Sequence, residues 1–451
     1  MPAGALDSPA MEHPWFDELA EWLRIPSVSA DPAHAGDVRL AGDWLVDFLR
    51  RAGGTAEIVD RGGQPLAVGE LRASNGAPDA PTVLCYGHFD VQPPEPLEGW
   101  ESPPFEPEIR GEWLYGRGVA DDKGQLYLLA KAATQLAAEG ALPVNLRFAC
   151  DGEEETGGHS IVDFLGEDER GADAGVIFDT DMLARGRPAF NVATRGLCYF
   201  HVRCRTGGRD LHSGMYGGAA LNALNALAQA LVAVGARNGR LPEALRAGIT
   251  PPTEEELTAW KSLPAGATEL SDQGARPLDA RAEEEFYLRT WAEPALDVNG
   301  IEGGSPQLQK TVLPVLAEAN VSIRLAPGQD PQAIAPAFER LLREAAPPGA
   351  ELELELWSWS EPGLVDPDSP AIRLGLDAFE RALGVRPLLI RSGGTLPIVP
   401  ALAKKGISTI ITGFALPDSN IHSPNERLLA EYVPLGIEAA KELFVSLARL
   451  R

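Results

Sequence analysis

One short segment places an imidazole and a carboxylate where a buried strand is predicted to end. The apolar run PTVLCY (81–86) leads through Gly87 into His88 and Asp90. Residues two apart in an extended chain project to the same side, so this carboxylate can orient the imidazole as the partner of a metal ligand does. From this segment alone, a metal ligand and a solvated strand-end histidine are equally good interpretations.

Two adjacent aspartates, Asp121 and Asp122, stand immediately before the strongly helical segment 124–139. One aspartate is enough to cap a helix, because its carboxylate accepts the free backbone amides of the first turn. A second aspartate in a glycine-flanked loop therefore favours a metal site. The preceding GRG is not a nucleotide-binding loop, because the third glycine of such a loop and a GK[ST] sequence are both missing.

Three consecutive glutamates, Glu153–Glu155, follow the predicted strand 143–150. Adjacent carboxylates repel one another unless cations or protons compensate their charge. An exposed acidic turn is the competing interpretation. The position at the end of an apolar strand favours a functional site over such a turn.

Two weaker motifs also place polar residues at or after the end of a predicted strand. GVIFD (175–179) ends in Asp179 and is followed by Asp181, and ISTIITGF (407–414) precedes the motif SNIHSPNE with His422. Five junctions of one sheet then carry a histidine or a carboxylate, and ligands bind at the carboxyl ends of strands in such sheets. Carboxylates and imidazoles without thiolates suit two divalent ions that share a bridging carboxylate.

Strands alternate with helices in both terminal parts of the chain, which predicts an α/β fold with a mostly parallel mixed sheet sandwiched by helices. The predicted strands are 55–60, 66–71, 81–86, 143–150, 175–179 and 407–414, and the predicted helices are 14–24, 37–52, 124–139, 369–384 and 431–449.

The pattern changes near residue 196, where residues 196–206 alternate with a two-residue period that is typical of a half-exposed antiparallel strand. A helix at 219–236, strands at 317–327 and 350–360 and a helix at 332–345 follow. The sequence therefore predicts a split α/β domain, with its parts at 1–195 and 361–451, and an inserted α+β domain at 196–360. A chain of 451 residues is long enough for two such cores.

The charge balance excludes two classes of partner. Lys and Arg number 39 and Asp and Glu number 65, so the formal net charge is −26. A chain this acidic repels nucleic acid and anionic lipid surfaces. No run of about 18 apolar residues occurs, so no membrane span is predicted.

The cysteines indicate a reducing compartment. Four cysteines lie in apolar runs and none forms a CxxC pair, which predicts buried free thiols; they are Cys85, Cys150, Cys198 and Cys204. The N-terminal 23 residues lack the basic and apolar regions of a signal peptide. A cytoplasmic location is the resulting prediction.

Eight segments together resemble a family of dinuclear metallopeptidases, which includes carnosinases, cytosolic non-specific dipeptidases, glutamate carboxypeptidase, succinyl-diaminopimelate desuccinylase and aminoacylase. They are YGHFDVQP, LYGRGVADDKG, DGEEETGG, FDTDML, DLHSGMYGG, SIRLAP, RSGGTLP and IHSPNE, and they follow one another in the order of the family from residue 86 to residue 426. DLHSGMYGG and RSGGTLP are most similar to the carnosinase and non-specific dipeptidase branch. The resemblance implies an enzyme that hydrolyses the amide bond of dipeptides or similar small peptides.

The resemblance also implies a set of metal ligands. Asp121 would bridge two divalent ions, for which zinc is expected and manganese or cobalt are alternatives that the same ligands accept. His88 and Asp179 would complete one metal site, and Glu155 and His422 would complete the other.

Further roles follow from the same resemblance. Asp90 would orient the imidazole next to it, and Glu154 would be the general base. In the inserted domain, which would act as a lid and a dimerisation domain, His212 would stabilise the oxyanion at the active site of the partner subunit of a homodimer. Arg324 would bind the carboxylate of the substrate, and Thr395 in RSGGTLP would also contact the substrate.

Two alignments of residues with the family pattern and two alternative functions remain open at this point. The family pattern favours Glu154–Glu155 over a register that begins at Glu153, and Asp179 is favoured over Asp181 because it directly follows the apolar run. A deacylase of N-acyl amino acids would share every metal ligand with a dipeptidase. A non-catalytic binding protein on the same scaffold would be expected to lack one of these residues.

Overall fold

The computed structural model describes residues 13–74, 76–77 and 79–450. The prediction about a signal peptide concerns the first 23 residues, of which residues 1–12 lie outside this description. Across the described ranges, every helix is too short or too polar to span a bilayer.

The α-helices among the described residues are α1 (Phe16–Leu23), α2 (Ala35–Arg51), α3 (Lys123–Ala138), α4 (Ser160–Glu167), α5 (Ser213–Tyr216), α6 (Ala223–Val234), α7 (Glu254–Trp260), α8 (Gly266–Asp272), α9 (Pro331–Ala345), α10 (Pro370–Leu383), α11 (Ile398–Lys404) and α12 (Tyr432–Leu447). Short 3₁₀ turns occur at Pro32–His34, Leu97–Gly99, Glu154–Thr156 and Glu243–Leu245, and a π-helical turn occurs at Leu288–Ala292.

The strands among the described residues are β1 (Thr55–Val59), β2 (Leu66–Leu71), β3 (Thr82–His88), β4 (Glu108–Arg110), β5 (Trp113–Tyr115), β6 (Asn145–Asp151), β7 (Ala174–Phe178), β8 (Ala189–Thr194), β9 (Gly196–Arg205), β10 (Leu211–His212), β11 (Ala295–Glu302), β12 (Val312–Leu313), β13 (Leu316–Leu325), β14 (Glu351–Ser360), β15 (Gly363–Leu364), β16 (Leu388–Arg391), β17 (Thr409–Thr412) and β18 (Arg427–Leu429).

The chain forms two compact units. Among the described residues, unit 1 takes those within 13–189, 368–387 and 407–450, and unit 2 takes those within 190–367 and 388–406. The domains at 1–195, 196–360 and 361–451 stay a prediction, and the compact units differ from them mainly by the segment 388–406. That segment belongs to unit 2, where the Arg391 guanidinium forms a buried ion pair with Glu256 at 2.7 Å.

The main sheet of unit 1 has six strands in the order β1-β2-β6-β3-β7-β17. The four strands from β6 to β17 are parallel to one another, and β1 and β2 pair antiparallel with their neighbours. β3, β6 and β7 are buried along almost their whole length. A parallel strand covered on both faces is apolar throughout, which explains why these strands appear in the sequence as unbroken apolar runs.

The helices of unit 1 pack on this sheet and on each other. α3 contacts β3 and α12, α10 contacts α12 and β17, and α2 contacts β1 and β2. α3 is rich in alanine and leucine and is largely buried, so its first turn is held rigidly beside the end of β3. Stacked rings join α1 to α2, with centroids 4.7 Å apart for Trp22 and Trp44 and 4.9 Å apart for Trp44 and Phe48.

Unit 2 is built on a four-stranded antiparallel sheet in the order β11-β13-β9-β14. The alternation predicted for 196–206 is present in β9, where Cys198, Phe200, Val202 and Cys204 are buried. They pack with α6 and α9 in one apolar core. All four cysteines of the chain are buried and unpaired, as their apolar surroundings predict.

Candidate metal centre

The carboxyl ends of three neighbouring parallel strands carry the first site residues. His88 is the last residue of β3, and in the sheet register it lies opposite Asp151 at the end of β6. Asp179 directly follows β7, which pairs with the other side of β3. Because parallel strands end at the same edge of a sheet, these side chains from distant parts of the chain become neighbours.

The aspartate pair before α3 does not act as a helix cap. Asp122 occupies the N-cap position of α3, but its side chain makes no capping hydrogen bond. Its Oδ2 accepts the backbone N–H of His88 at 3.1 Å, and its buried Oδ1 has no hydrogen-bond partner in the part of the chain that the structure describes. A Cβ at Gly87 would lie 2.6 Å from Asp122 Oδ2, so only glycine lets the strand pass this close. The peptide bond between Asp121 and Asp122 is cis.

Asp121 lies between two groups of side chains and uses a different oxygen for each. Its Oδ1 is 3.0 Å from His88 Nε2, which is also 3.8 Å from Asp179 Oδ1. Its Oδ2 is 2.8 Å from His422 Nε2, which is also 3.2 Å from Glu155 Oε2. The structure therefore brings together all five side chains that the sequence singles out as metal ligands.

Two sets of potential ligand atoms, each mutually within 4.8 Å, occur in this cluster. One set consists of His88, Asp121 and Glu155, and the other consists of His88, Asp122 and Asp179. Asp122 in the second set was not predicted as a ligand, and it belongs to the set because one of its ligand atoms lies within 4.8 Å of those of His88 and Asp179. Asp181, the alternative to Asp179, belongs to neither set, and its buried Oδ1 also lacks a hydrogen-bond partner within residues 13–74, 76–77 and 79–450.

The pKa values in the cluster show that the carboxylates need positive charge. Burial, together with the charge of Asp122, raises the pKa of Asp179 well above its usual range. Burial opposes ionisation of Asp121 too, but hydrogen bonds from His422 and His88 hold its pKa well below the usual range. Hydrogen bonds to Asp121 and Glu155 raise the pKa of His422 to about 10. Protonated imidazoles thus compensate the carboxylates, which is the task that a bound cation would perform.

The donor set fits divalent metal ions. It offers carboxylate oxygens and imidazole nitrogens without thiolates, a combination that zinc, manganese and cobalt all accept. Two buried carboxylate oxygens, Asp122 Oδ1 and Glu155 Oε1, have no hydrogen-bond partner among the described residues. Buried oxygens of this kind are costly unless they are paired, and coordination to a cation would pair them.

Asp90 connects the end of β3 to the glutamate turn. Its Oδ1 lies 3.3 Å from His88 Nδ1, which also contacts the backbone oxygen of Asp90 at 3.1 Å. The same carboxylate accepts the backbone amides of Glu154 at 3.2 Å and Glu155 at 3.1 Å, and the Ser29 hydroxyl at 2.6 Å. The hydrogen bonds at Nδ1 leave Nε2 of His88 to face the other carboxylates, as in the carboxylate–histidine pairs of metal sites.

The three consecutive glutamates differ in what their carboxylates contact. Glu153 Oε2 accepts the amide of Gln64 at 2.7 Å, and its Oε1 accepts the amide of Ser160 at 2.9 Å. Glu155 Oε2 accepts an amide hydrogen of the Gln92 side chain at 2.9 Å and faces His422. Among the described residues, the Glu154 carboxylate makes no hydrogen bond. Burial raises the pKa of Glu154 to about 7, and the charge of His88 opposes that shift while neighbouring carboxylates add to it.

Comparison with known proteins assigns the family. Residues 84–446, which contain all five side chains of the cluster, match the sequence model of peptidase family M20/M25/M40. The chain belongs to that family. The family predicted from the motifs is thereby confirmed, and family and cluster together support a centre for divalent metal.

Several relatives of this M20/M25/M40 chain are similar over nearly their whole length. The Beta-Ala-His dipeptidase of Homo sapiens is 28% identical, with 96% of this chain and 90% of the relative covered. The Cys-Gly metallodipeptidase dug1 of Schizosaccharomyces pombe is 30% identical, with 93% and 92% covered. The crystal structure of an M20 family metallo-carboxypeptidase from Sulfolobus solfataricus superposes with a TM-score of 0.84 at 25% identity, with 97% and 100% covered. The predicted α/β fold class agrees with this likeness.

Unit 2 of the M20/M25/M40 chain carries the residues that the sequence singles out for substrate binding. Arg324, near the end of β13, donates from Nη1 to the Thr395 hydroxyl at 2.9 Å. The structure thus brings these two residues together. His212 is exposed at the end of β10, and its Nδ1 accepts the backbone amide of Gly214 at 3.0 Å.

Sequence reasoning missed a second arginine in unit 2. Arg195 precedes β9 and donates from Nε to the backbone oxygen of Gly393 at 3.1 Å. Leu197 pairs with Arg324 in the sheet, so Arg195, two residues earlier, belongs to the same face. Burial lowers the pKa of Arg195 to about 10, and the charge of Arg324 adds to the shift. Only the sheet register reveals this neighbour, because the sequence around Arg195 contains no motif.

A missed residue in unit 1 is Glu426, the last residue of the motif IHSPNE. Its side chain is fully buried and pairs with Arg117 at 2.7 Å. Burial raises the pKa of Glu426, while Arg117 and backbone amides oppose that rise. The sequence alone does not reveal this role, because the burial of Glu426 and its pairing with Arg117, 309 residues away, appear only in the structure.

Proposed function

We propose that this chain hydrolyses the amide bond of dipeptides at a centre of two divalent metal ions, with zinc as the expected metal. The observation that carries the proposal is Asp121, whose two carboxylate oxygens face two separate groups of candidate ligands. A carboxylate in that position suits a bridge between two ions. The names of the human and S. pombe relatives, which act on Beta-Ala-His and Cys-Gly, support a dipeptide substrate.

The five residues of the cluster would hold the two ions. His88 and Asp179 would bind one ion and Glu155 and His422 the other, with Asp121 shared between them. Bound divalent ions make water acidic enough to react as a nucleophile near neutral pH, and they polarise the carbonyl that is attacked. Asp90 would keep the His88 imidazole oriented through the contacts at Nδ1.

Glu154 would move the proton in this reaction. Its carboxylate makes no hydrogen bond within the described part of the chain, so it is available to accept a proton from the attacking water. The same carboxyl group would then donate that proton to the leaving amine. Glu153 is a poorer candidate, because backbone amides of Gln64 and Ser160 already occupy both of its oxygens.

Residues of unit 2 would recognise the substrate. Arg324 would bind the substrate carboxylate, because the planar guanidinium can make two parallel hydrogen bonds to it. Thr395 would hold that guanidinium through the hydrogen bond at 2.9 Å and contact the substrate. His212 is exposed and would donate to the oxyanion that develops during attack, in the active site of a partner subunit.

The role of His212 implies a homodimer with twofold symmetry. Light scattering at assay concentrations should give the mass of two chains. A fully active monomer would exclude the action of His212 across subunits. We also propose a cytoplasmic enzyme, which the four buried and unpaired cysteines support, with small peptides rather than nucleic acid or membrane as partners.

The direct test combines elemental analysis with two substrates. Purified protein should contain two divalent ions per chain and should cleave Ala-Ala while leaving N-acetyl-alanine intact. A dipeptidase requires the free amine that an N-acyl group removes. Cleavage of N-acetyl-alanine alone would replace the dipeptidase by a deacylase, and one ion per chain at full activity would contradict the dinuclear centre.

A further inference from the structure

The carboxylate of Glu426 is surrounded by four hydrogen-bond donors from one loop. Oε1 accepts the backbone amides of Ala120 at 2.9 Å and Asp121 at 3.2 Å. Oε2 accepts the amide of Gly118 at 3.1 Å and the Arg117 guanidinium at 2.7 Å. This loop carries the aspartate that faces both halves of the metal cluster. A single buried side chain therefore fixes the backbone of that loop.

The backbone at Glu426 ties the loop that carries His422 to the same segment. Its own backbone oxygen accepts the amide of Gly116 at 3.1 Å, and the next residue, Arg427, pairs with Tyr115 in the sheet of β18 and β5. His422 is four residues before Glu426 and has a positive φ of 59°, so the short loop between them is sharply turned. The side chain of Glu426 and the backbone of residues 426–427 are thus both bound to segment 115–121.

The partner of Glu426 reaches a third segment of the site. Arg117 donates from Nη2 to the backbone oxygen of Pro93 at 3.2 Å, and its guanidinium carbon lies 5.4 Å from the centre of the Trp100 ring. Pro93 follows shortly after Asp90, the residue that contacts the imidazole of His88. The Glu426–Arg117 pair thereby joins the three loops that carry Asp121, His422 and Asp90.

We infer that Glu426 is a positioning residue of the metal centre, which holds Asp121 and His422 in their ligand arrangement before any ion binds. The inference rests on the proposed metal-dependent function. A site whose ligands are already in place loses less conformational freedom when the ion binds, so its affinity is higher. Loss of partners that orient ligands typically weakens metal affinity by about 10- to 100-fold.

The test is the zinc affinity of Glu426→Gln, measured on the metal-stripped full chain by competition with a chromophoric chelator. A glutamine amide offers one oxygen and one NH₂ group, so in either orientation two of the four donors face the NH₂ group and at least half of the hydrogen bonds would be lost. We expect the Kd for zinc to rise by about 10- to 100-fold. At saturating zinc, kcat on Ala-Ala should return to within a few-fold of the wild type, since Glu426 would not touch the substrate.

Glu256→Gln is the matched control, because Glu256 is also a buried glutamate paired with an arginine, Arg391, at 2.7 Å. Both variants should lower Tm, but only Glu426→Gln should change the zinc Kd. An unchanged Kd for Glu426→Gln, or equal changes in both variants, would reduce the role of Glu426 to general stability and overturn the inference.

Amide hydrogen exchange on the wild type tests the same inference without a variant that must fold. The amides of Ala120 and Asp121 should remain protected after zinc is removed, because Glu426 still accepts them. Full-speed exchange in the metal-free protein would show that the ion orders this loop and would overturn the inference. Wild-type protein that binds no zinc would instead refute the proposed metal centre, and the exchange data would still decide whether Glu426 holds the loop.

Discussion

Unit 1 and unit 2 contribute candidate site residues in different environments. In unit 1, side chains from five distant segments meet in a cluster where the His88 and Glu155 side chains are only 1% and 4% exposed, although the His422 side chain is 52% exposed. In unit 2, Arg324 and Thr395 contact each other, whereas His212 is exposed and accepts a hydrogen bond from the backbone amide of the nearby Gly214. Buried like charges require compensation, so the cluster in unit 1 itself indicates a cation site. Exposed groups have no such requirement, so their roles depend on the substrate.

The two kinds of sheet account for this difference. The parallel strands of unit 1 end at one edge, which collects polar loops from far apart in the sequence. The antiparallel sheet of unit 2 instead presents alternate residues of each strand on one face. Substitutions in the two units should therefore affect metal binding and substrate recognition separately.

Glu154→Gln should give the largest loss that leaves metal binding intact. The substitution preserves the shape of the side chain but removes the proton acceptor, so kcat on Ala-Ala should fall by about 10²- to 10⁴-fold. Metal content per chain should not change. Glu153→Gln is the control, and it should have a much smaller effect on kcat because Glu153 already binds two backbone amides. A normal rate for Glu154→Gln would refute its assignment as the general base and favour the alignment that begins at Glu153.

His212→Ala tests whether an exposed residue of unit 2 takes part in the chemistry. Loss of a donor to the oxyanion should lower kcat by about 10²- to 10³-fold and leave the zinc Kd unchanged. His201→Ala in the same unit should change kcat little, because His201 stacks on Trp357 with ring centroids 4.7 Å apart and has no proposed role. An unchanged kcat for His212→Ala would show that His212 takes no part in the chemical step.

Asp90→Asn tests the support of the buried cluster. An amide cannot accept hydrogen bonds with both of its ends, so the contacts to His88 and to the glutamate turn cannot all persist. The zinc Kd should rise by about 10- to 100-fold in chelator competition. Asp181→Asn is the control, since Asp181 lies in neither set of ligand atoms. A larger effect of Asp181→Asn on the zinc Kd would indicate that Asp181, and not Asp179, is the metal ligand.

Arg324→Met and Thr395→Val should affect only substrate recognition, and Thr395→Val should give the smallest effect of all. Loss of a charged hydrogen bond to the substrate carboxylate should raise KM for free dipeptides by about 10- to 100-fold. Thr395→Val removes one hydrogen bond to the Arg324 guanidinium and should raise KM several-fold. C-terminally amidated dipeptides should show little change with either variant. Equal effects on free and amidated substrates would refute carboxylate binding.

The sequence predicted most long elements because their periodicity reflects burial. The unbroken run at 81–86 and the alternation at 196–206 correspond to β3 and β9, whose burial patterns are continuous and alternating. The short strands β8 and β16 escaped prediction, because polar residues interrupt AFNVAT and LLIR has only three apolar residues, whereas β7, of similar length, is apolar throughout. The segment 240–300, whose weak periodicity allowed no assignment from the sequence, contains α7 and α8, and α7 begins with a capping box at Thr253 and Glu256.

The sequence by itself determined the residue types of the site and the family, because carboxylates and histidines that directly follow apolar runs form motifs that can be recognised without a structure. Only the tertiary structure decided which of them meet. It separated Glu153 from Glu154 by their hydrogen bonds, placed Asp121 between two ligand groups, and revealed Glu426 beneath the Asp121 loop. The physical reason is that distances between side chains more than 300 residues apart depend on packing and strand register, which local sequence patterns do not contain.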